Sequence, residues 1–79
     1  RVVLFRDGDF FIAQGLEVDI SAQGKTAEEA YERFGVVFDA ELREARDTGR
    51  SIFDIGPAPL PFRALYEQND VSRHIKKVA

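Results

Sequence analysis

The chain has 79 residues, of which 44% are hydrophobic and 11% aromatic, with no cysteine and a formal net charge of −3. This length allows one domain, and the apolar content is that of a folded globular protein rather than a disordered one. The lack of cysteine excludes disulfides and thiolate metal sites, and no apolar run approaches the roughly 20 residues that span a bilayer, so we expect a cytoplasmic protein.

The first predicted element is a β-hairpin. The stretches RVVLFR and FFIAQ are rich in β-branched and aromatic residues, and Asp7-Gly8 between them is typical of a tight turn, because glycine adopts a positive φ at little cost. We therefore predict that residues 2–6 pair with residues 10–14. Both faces of this hairpin are apolar, so either the C-terminal segment or another subunit must cover the second face.

The next segment, LEVDISAQ, alternates apolar and polar residues, which predicts a strand with two distinct faces. One side is expected to hold Leu16, Val18, Ile20 and Ala22, and the other Glu17, Asp19, Ser21 and Gln23. Its second half is predicted to be the third strand, after a reversal near residues 15–19.

A Gly-Lys-Thr sequence within the stretch AQGKTAEEAYERF suggests a phosphate-binding loop. Such a loop needs a glycine five residues before Gly24, where this chain has Asp19, whose charge would repel phosphate. The nucleotide-binding interpretation therefore fails, and the start of a helix explains the stretch better.

A long helix is predicted over residues 27–48. Thr26 suits its N-terminal cap, and Glu29 three residues later completes a capping box. Gly35 lies inside the helix and costs up to about 1 kcal/mol relative to alanine. The apolar stripe consists of Ala27, Ala30, Tyr31, Phe34, Phe38, Leu42 and Ala45.

Less regular structure is expected after this helix. The sequence SIFDI at 51–55 is a candidate for a fourth, edge strand, and the three alternate prolines of GPAPLPF impose an extended crossing segment. Pro61 suits the first position of a short helix. This helix is predicted to place on one side Phe62, Leu65 and Tyr66.

The charges are distributed unevenly along the chain. Residues 1–70 hold all 14 acids and 8 of the 11 bases, a net charge of −6, whereas residues 71–79 form a basic tail of +3. The acidic body repels nucleic-acid phosphates and suits a basic protein partner. The plainer alternative is that this modest acidity only keeps the domain in solution.

No recognisable catalytic, cofactor or metal site follows from the sequence. His74 is the only histidine, and because the chain has no cysteine, a zinc site there would need several carboxylates around it. Asp7, Asp9, Glu17 and Asp19 lie near predicted strand ends and are candidates for a hard metal ion, although turn chemistry explains the hairpin acids better. We therefore predict that the chain is not an enzyme.

The order of these elements, with FFIAQ before a loop and AQGKTAEEAYERF opening a helix, resembles the HicB family of antitoxins. The resemblance covers about residues 2–42 and rests on Ala13, Gln23, Gly24, Thr26, Glu29 and Ala30. The chain departs from the family in LEVDIS, which lacks the usual Pro and Gly, and beyond Gly49, where the family's DNA-binding extension is not matched. The resemblance implies a β-β-β-α-β domain likened to a shortened ribonuclease H fold.

We predict a single α+β domain over residues 1–79, with a three-stranded antiparallel sheet and one long helix in its core at about 2–49. The crossing segment and short helix occupy 50–70, and the basic tail follows at 71–79.

The resemblance implies a non-catalytic antitoxin, or an orphan relative, that forms dimers or tetramers and neutralises a small basic RNA-cleaving HicA toxin. The residues predicted to bind this partner are Phe62, Leu65, Tyr66, Asp39 and Glu44. Two alternatives are a metal-dependent nucleic-acid hydrolase on a ribonuclease H-like scaffold and an oligomeric nucleic-acid-binding module that uses the basic tail.

Overall fold

The structure, a computed structural model, describes residues 1–68, and the predicted basic tail and His74 lie outside them. The strands are β1 (Val2–Asp7), β2 (Phe10–Gly15) and β3 (Ser21–Gly24), which form an antiparallel sheet in the order β1-β2-β3. They are followed by α1 (Ala27–Asp47), a 3-10 helix (Ile52–Ile55) and α2 (Leu60–Gln68). This arrangement confirms the predicted α+β class with three antiparallel strands, one long helix and a short C-terminal helix.

The hairpin forms where the turn residues predict it. Asp7 pairs with Phe10, so that Gly8 and Asp9 form the loop, and Gly8 has a φ of 63°. A residue with a side chain is strained at this φ, which explains why glycine stands there. Each strand extends one residue further than predicted.

The face of the sheet toward α1 carries the larger part of the core. Leu4 pairs with Ala13 across β1 and β2, and Ala13 pairs with Ala22 on β3, so these three side chains share that face. The buried members of this cluster are Leu4, Ala13, Val18, Ile20, Ala30, Phe34 and Ile52. Because α1 lies mainly over β2 and β3, it leaves its side of β1 less covered.

The opposite face of the hairpin is covered by α2. Val3, Leu16 and Tyr66 are buried together there, and Phe5, Phe62 and Leu65 pack around them. The sequence predicted that either the C-terminal segment or another subunit covers this face, and the structure shows that the C-terminal segment does so. A second subunit is not needed for this face.

The placement of Leu16 corrects one prediction. It was expected on the same side as Val18 and Ile20, but it lies on the α2 side of the sheet while those two lie on the α1 side. The chain reverses between these residues, with the Ile20 amide donating to the Val18 carbonyl and the Gly15 amide to the Ile20 carbonyl. This reversal breaks the two-residue period on which the prediction depended.

The start of α1 shows the predicted cap. The Glu29 amide donates to the Thr26 hydroxyl oxygen over 3.0 Å, and the Glu29 carboxylate accepts from the Lys25 amide over 2.9 Å. The helix ends at Asp47, and Thr48 caps it with a hydroxyl that donates to the Glu44 carbonyl over 2.8 Å. The predicted span of 27–48 is thus correct to within one residue.

The predicted edge strand at 51–55 is wrong, because this segment is a 3-10 helix. The Ser51 hydroxyl oxygen accepts from the Phe53 amide over 3.1 Å, and the Asp54 carboxylate accepts from the Ser51 amide over 3.2 Å. This capping box satisfies amides locally and turns the chain away from the sheet. Only Ile52 of this segment is buried.

The crossing segment then returns to the sheet. The Asp19 amide donates to the Gly56 carbonyl over 2.8 Å, and the Ala58 amide donates to the Leu16 carbonyl over 2.9 Å. These bonds fasten the segment to the connection between β2 and β3. The following helix begins at Leu60, one residue before the predicted Pro61.

Candidate functional site

An apolar groove opens between β1 and α1. It lies on the same face of the sheet as α1, where the helix leaves β1 uncovered. It has a volume of about 390 Å³ and is lined by Val2, Tyr31, Glu32, Phe34, Gly35, Phe38 and Asp39. We call this concavity the β1–α1 groove. Its walls are mainly aromatic and aliphatic, which is the composition expected of a surface that another apolar side chain can fill.

A second concavity continues from the β1–α1 groove around Val2, Phe34 and Phe38. It has a volume of about 330 Å³ and also touches the β2–β3 connection, through Gly15, Leu16, Glu17 and Val18. The Phe34 and Phe38 rings stack between the two concavities, with their centres 6.0 Å apart. At its edge Phe53 is 66% exposed, so apolar surface reaches the outside of the domain here.

Acidic side chains and a glycine form the outer rim of the β1–α1 groove. Glu32 and Asp39 are exposed on α1, and Gly35 lies between them. A Cβ atom built on Gly35 would have no neighbour within 4 Å, so the glycine is not required by packing within this chain. Another backbone can therefore approach α1 closely at this position.

Two residues that line the second concavity, Arg1 and Glu17, form a partly exposed ion pair. The amino group of Arg1 and its Nε atom each donate to the Glu17 carboxylate over 2.6 Å. Burial alone would raise the pKa of Glu17, but these hydrogen bonds and the positive charges outweigh burial and lower the pKa to about 2. The Arg1 guanidinium also lies 5.8 Å from the Tyr66 ring centre, which links the residue before β1 to α2.

A separate concavity lies at the C-terminal end of α1. It has a volume of about 220 Å³ and is lined by Glu41, Glu44, Ala45, Arg50, Ser51, Asp54 and Ile55. We call it the distal acidic surface, because three carboxylates and one guanidinium border it. Ile55 is 43% exposed at its edge, so an apolar contact is available beside the negative charge.

The structure does not bring the five predicted partner-binding residues together. Asp39 lines the β1–α1 groove, whereas Glu44 lines the distal acidic surface. Tyr66 is only 8% exposed and packs on the sheet, with Phe62 and Leu65 beside it. These three side chains therefore form part of the domain's own core, and a role for them in partner binding stays a prediction.

The four acids considered as metal ligands lie at opposite ends of the sheet. Asp7 and Asp9 lie at the β1–β2 turn, whereas Glu17 and Asp19 belong to the β2–β3 connection. Asp19 accepts a hydrogen bond from the Gln14 side chain over 2.9 Å. Within residues 1–68, no group of three or more His, Cys, Asp or Glu residues is placed to hold a metal ion.

The sequence did not reveal the β1–α1 groove, because Tyr31, Phe38 and Leu42 fall within one apolar stripe whose coverage by the sheet cannot be read from the pattern. One sequence feature did indicate a surplus of apolar surface. A helix of 21 residues is about 31 Å long, whereas the longest strands have 6 residues and span about 20 Å. The helix therefore extends past the sheet, and Leu42 is 45% exposed.

No helix in the described part of the chain is long and apolar enough to cross a membrane. Comparisons of the whole chain with models of protein families, with curated proteins and with solved structures find no match. The resemblance to HicB antitoxins therefore rests on the residues named above, and the ribonuclease H-like assignment remains an expectation from that resemblance.

Proposed function

We propose that this chain is a non-catalytic, HicB-like antitoxin, or an orphan relative, that binds and neutralises a small basic RNA-cleaving toxin of the HicA type in the cytoplasm. The observation that carries the proposal is the charge of α1, which has seven acids and three bases and therefore a net charge of −4. The order of the elements and the capping sequence at Thr26 and Glu29 are the features in which the chain resembles the HicB family.

The physical argument concerns the surface that an RNA-cleaving protein must offer. Such a protein grips phosphates with lysine and arginine, so its active surface is basic. A protein with a clustered negative surface competes with RNA for that basic surface and speeds the encounter at low salt. The distal acidic surface provides carboxylates from Glu41, Glu44 and Asp54, with exposed Ile55 next to them.

The apolar anchor of this interface also follows from exposure. Charge alone seldom gives tight binding, because most binding energy comes from a few desolvated apolar or aromatic side chains. Phe53 and Ile55 are 66% and 43% exposed on the 3-10 helix, whereas Tyr66, on the inner side of α2, is buried against the sheet. We therefore assign the anchoring role to the 3-10 helix in preference to Tyr66.

The experiment is a titration of the full chain with the product of a small basic gene adjacent to its own gene. Binding that weakens as salt rises, together with loss of RNA cleavage by that product, would support the proposal. The variant Glu41→Lys/Glu44→Lys should lower the association rate at low salt, and Asp9→Lys/Glu67→Lys, which makes the same charge change away from this surface, should lower it less.

Failure has a distinct signature in this experiment. If both proteins are folded and no binding occurs at micromolar concentration in low salt, the antitoxin proposal is wrong. If binding occurs but the Glu41→Lys/Glu44→Lys variant binds as fast as the wild type, the partner uses another surface.

A further inference from the structure

The edge of α1 that faces the β1–α1 groove has the spacing of a helix–helix seam. Tyr31, Gly35, Phe38 and Leu42 follow each other at steps of four, three and four residues, the repeat that brings side chains of two helices together. Gly35 and Leu42 are exposed, and Tyr31 and Phe38 are half-buried. This seam lies beside the residues that face the sheet, and nothing in residues 1–68 covers its outer side.

We propose that the β1–α1 groove receives the C-terminal half of α1 from a second copy of the chain. The two α1 helices then pack antiparallel about a twofold axis that passes between Phe38 and Leu42. Closed twofold symmetry uses the same surface on both subunits, so one groove and one exposed helix end per chain satisfy each other.

The antiparallel register matches apolar side chains in the seam. It places Phe38 against Leu42 of the partner subunit and Gly35 against Ala45 of the partner subunit. Leu42 is 45% exposed in the single chain, and this contact removes it from water. The pairing of a glycine with an alanine lets the two helix backbones approach closely. This close approach explains why a glycine stands in the middle of α1.

The same register matches charges on one flank of the seam. Positions 32, 39 and 46 repeat every seven residues and carry Glu, Asp and Arg. Antiparallel packing places Glu32 near Arg46 of the partner subunit, twice in the dimer, and Asp39 near its own symmetry mate. In the single chain Arg46 is 76% exposed and lies 3.7 Å from Asp47, an exposed pair of little energetic weight.

The chain itself thus supplies the occupant that the groove requires. The rim acids Glu32 and Asp39 call for an apolar segment that carries positive charge, and the distal half of α1 combines exposed Leu42 with Arg46. The second face of the hairpin, where the sequence suggested association, is already covered by α2. Ala45 lines the distal acidic surface as well as the seam, so the partner subunit borders that surface, but the observations that carry the dimer do not depend on the proposed function.

The test is sedimentation equilibrium of the full 79-residue chain over a wide concentration range, with two glutamine variants. Gly35→Gln inserts a side chain into the seam and should weaken dimerisation roughly tenfold or more. Its monomer should fold at least as well as the wild type, because a Cβ at Gly35 meets nothing within 4 Å and glutamine favours helix more than glycine does. Val36→Gln is the matched control, since Val36 is 69% exposed and lies outside the seam.

Charge variants test the direction of the helices. Arg46→Glu should weaken the dimer several-fold, the double variant Glu32→Arg/Arg46→Glu should restore it, and Asp39→Asn should tighten it by removing the repulsion between symmetry mates. Far-ultraviolet circular dichroism of each variant confirms that the chain remains folded.

Three results would overturn the proposal. They are a wild type that sediments as a monomer at every concentration, a Gly35→Gln variant that dimerises as tightly as the wild type, and a Val36→Gln variant that weakens the dimer equally. An Arg46→Glu defect that Glu32→Arg does not repair would overturn the antiparallel register.

Discussion

The aromatic rings of Phe5 on β1 and Phe62 on α2 lie with their centres 5.8 Å apart and their planes 34° from parallel. They belong to the small cluster in which Val3, Leu16 and Tyr66 are buried. The short C-terminal helix is therefore part of the fold, and substitutions in it should first be interpreted as changes in stability.

The first prediction concerns Tyr66, which is 8% exposed on the inner side of α2. Tyr66→Ala should lower the free energy of unfolding by about 2–5 kcal/mol, because it leaves a cavity between α2 and the sheet. Urea unfolding followed by circular dichroism measures this loss. Leu60→Ala is the control on the same helix, since Leu60 is 78% exposed and its loss should change stability little. Equal midpoints for Tyr66→Ala and the wild type would remove Tyr66 from the core.

The second prediction concerns Phe34, which packs in the larger cluster between α1 and the sheet. Phe34→Ala should cost roughly 3–5 kcal/mol of stability and leave little folded protein. Phe53→Ala removes the same ring from a site that is 66% exposed, so it should cost far less. A denaturant midpoint for Phe34→Ala that equals that of Phe53→Ala would contradict the assignment.

The third prediction concerns pH. The pKa of Glu17 is lowered from 4.5 to about 2 in the folded chain, so its ion pair with Arg1 stabilises the fold above pH 4.5. This contribution should fade as the pH falls from 4.5 toward 2, because the unfolded chain then binds a proton that the folded chain does not. Since the Glu17 side chain is 38% exposed, water screens the pair and limits it to about 1 kcal/mol.

Urea midpoints at neutral and acidic pH measure this effect. Glu17→Gln should be less stable than the wild type at neutral pH, and the difference should shrink as the pH approaches the folded pKa. A difference that stays constant across this range would show that packing of the side chain, rather than its charge, sets its contribution.

The fourth prediction concerns catalysis. We expect no nuclease activity that depends on magnesium or manganese, because Asp7 and Asp19 lie at opposite ends of β2, whose 6 residues span about 20 Å. One metal ion cannot contact carboxylates so far apart. RNA and single-stranded DNA incubated with each metal provide the assay. Turnover that disappears in Asp7→Asn or Asp19→Asn would restore the hydrolase alternative.

Local sequence patterns predicted those elements whose causes are local. Asp7-Gly8 fixes the hairpin because only glycine adopts the required φ cheaply, and Thr26 with Glu29 fixes the start of α1 because together they satisfy two amides. Ser51 with Asp54 forms a capping box at the start of the 3-10 helix, so this helix was also readable, although the apolar residues around it suggested a strand.

Other features depend on contacts between distant segments and were not readable. The side of the sheet on which Leu16 lies is set by a reversal held by backbone bonds, which a two-residue pattern does not encode. The stripe on α1 shows which positions are apolar but not that β1 is left uncovered beside Tyr31 and Phe38. The β1–α1 groove therefore appears only once the helix has been placed over β2 and β3.

The two backbone bonds that join the crossing segment to the β2–β3 connection have a kinetic consequence. When residues 56–68 detach, the amides of Asp19 and Ala58 both lose their hydrogen bonds and become exposed to solvent, whereas the hydrogen bonds between β1 and β2 remain. Native-state hydrogen exchange should therefore show these two protons exchanging through one shared opening, at a rate faster than that of the hairpin amides. The domain would then unfold in two stages, beginning with residues 56–68 and continuing with the hairpin.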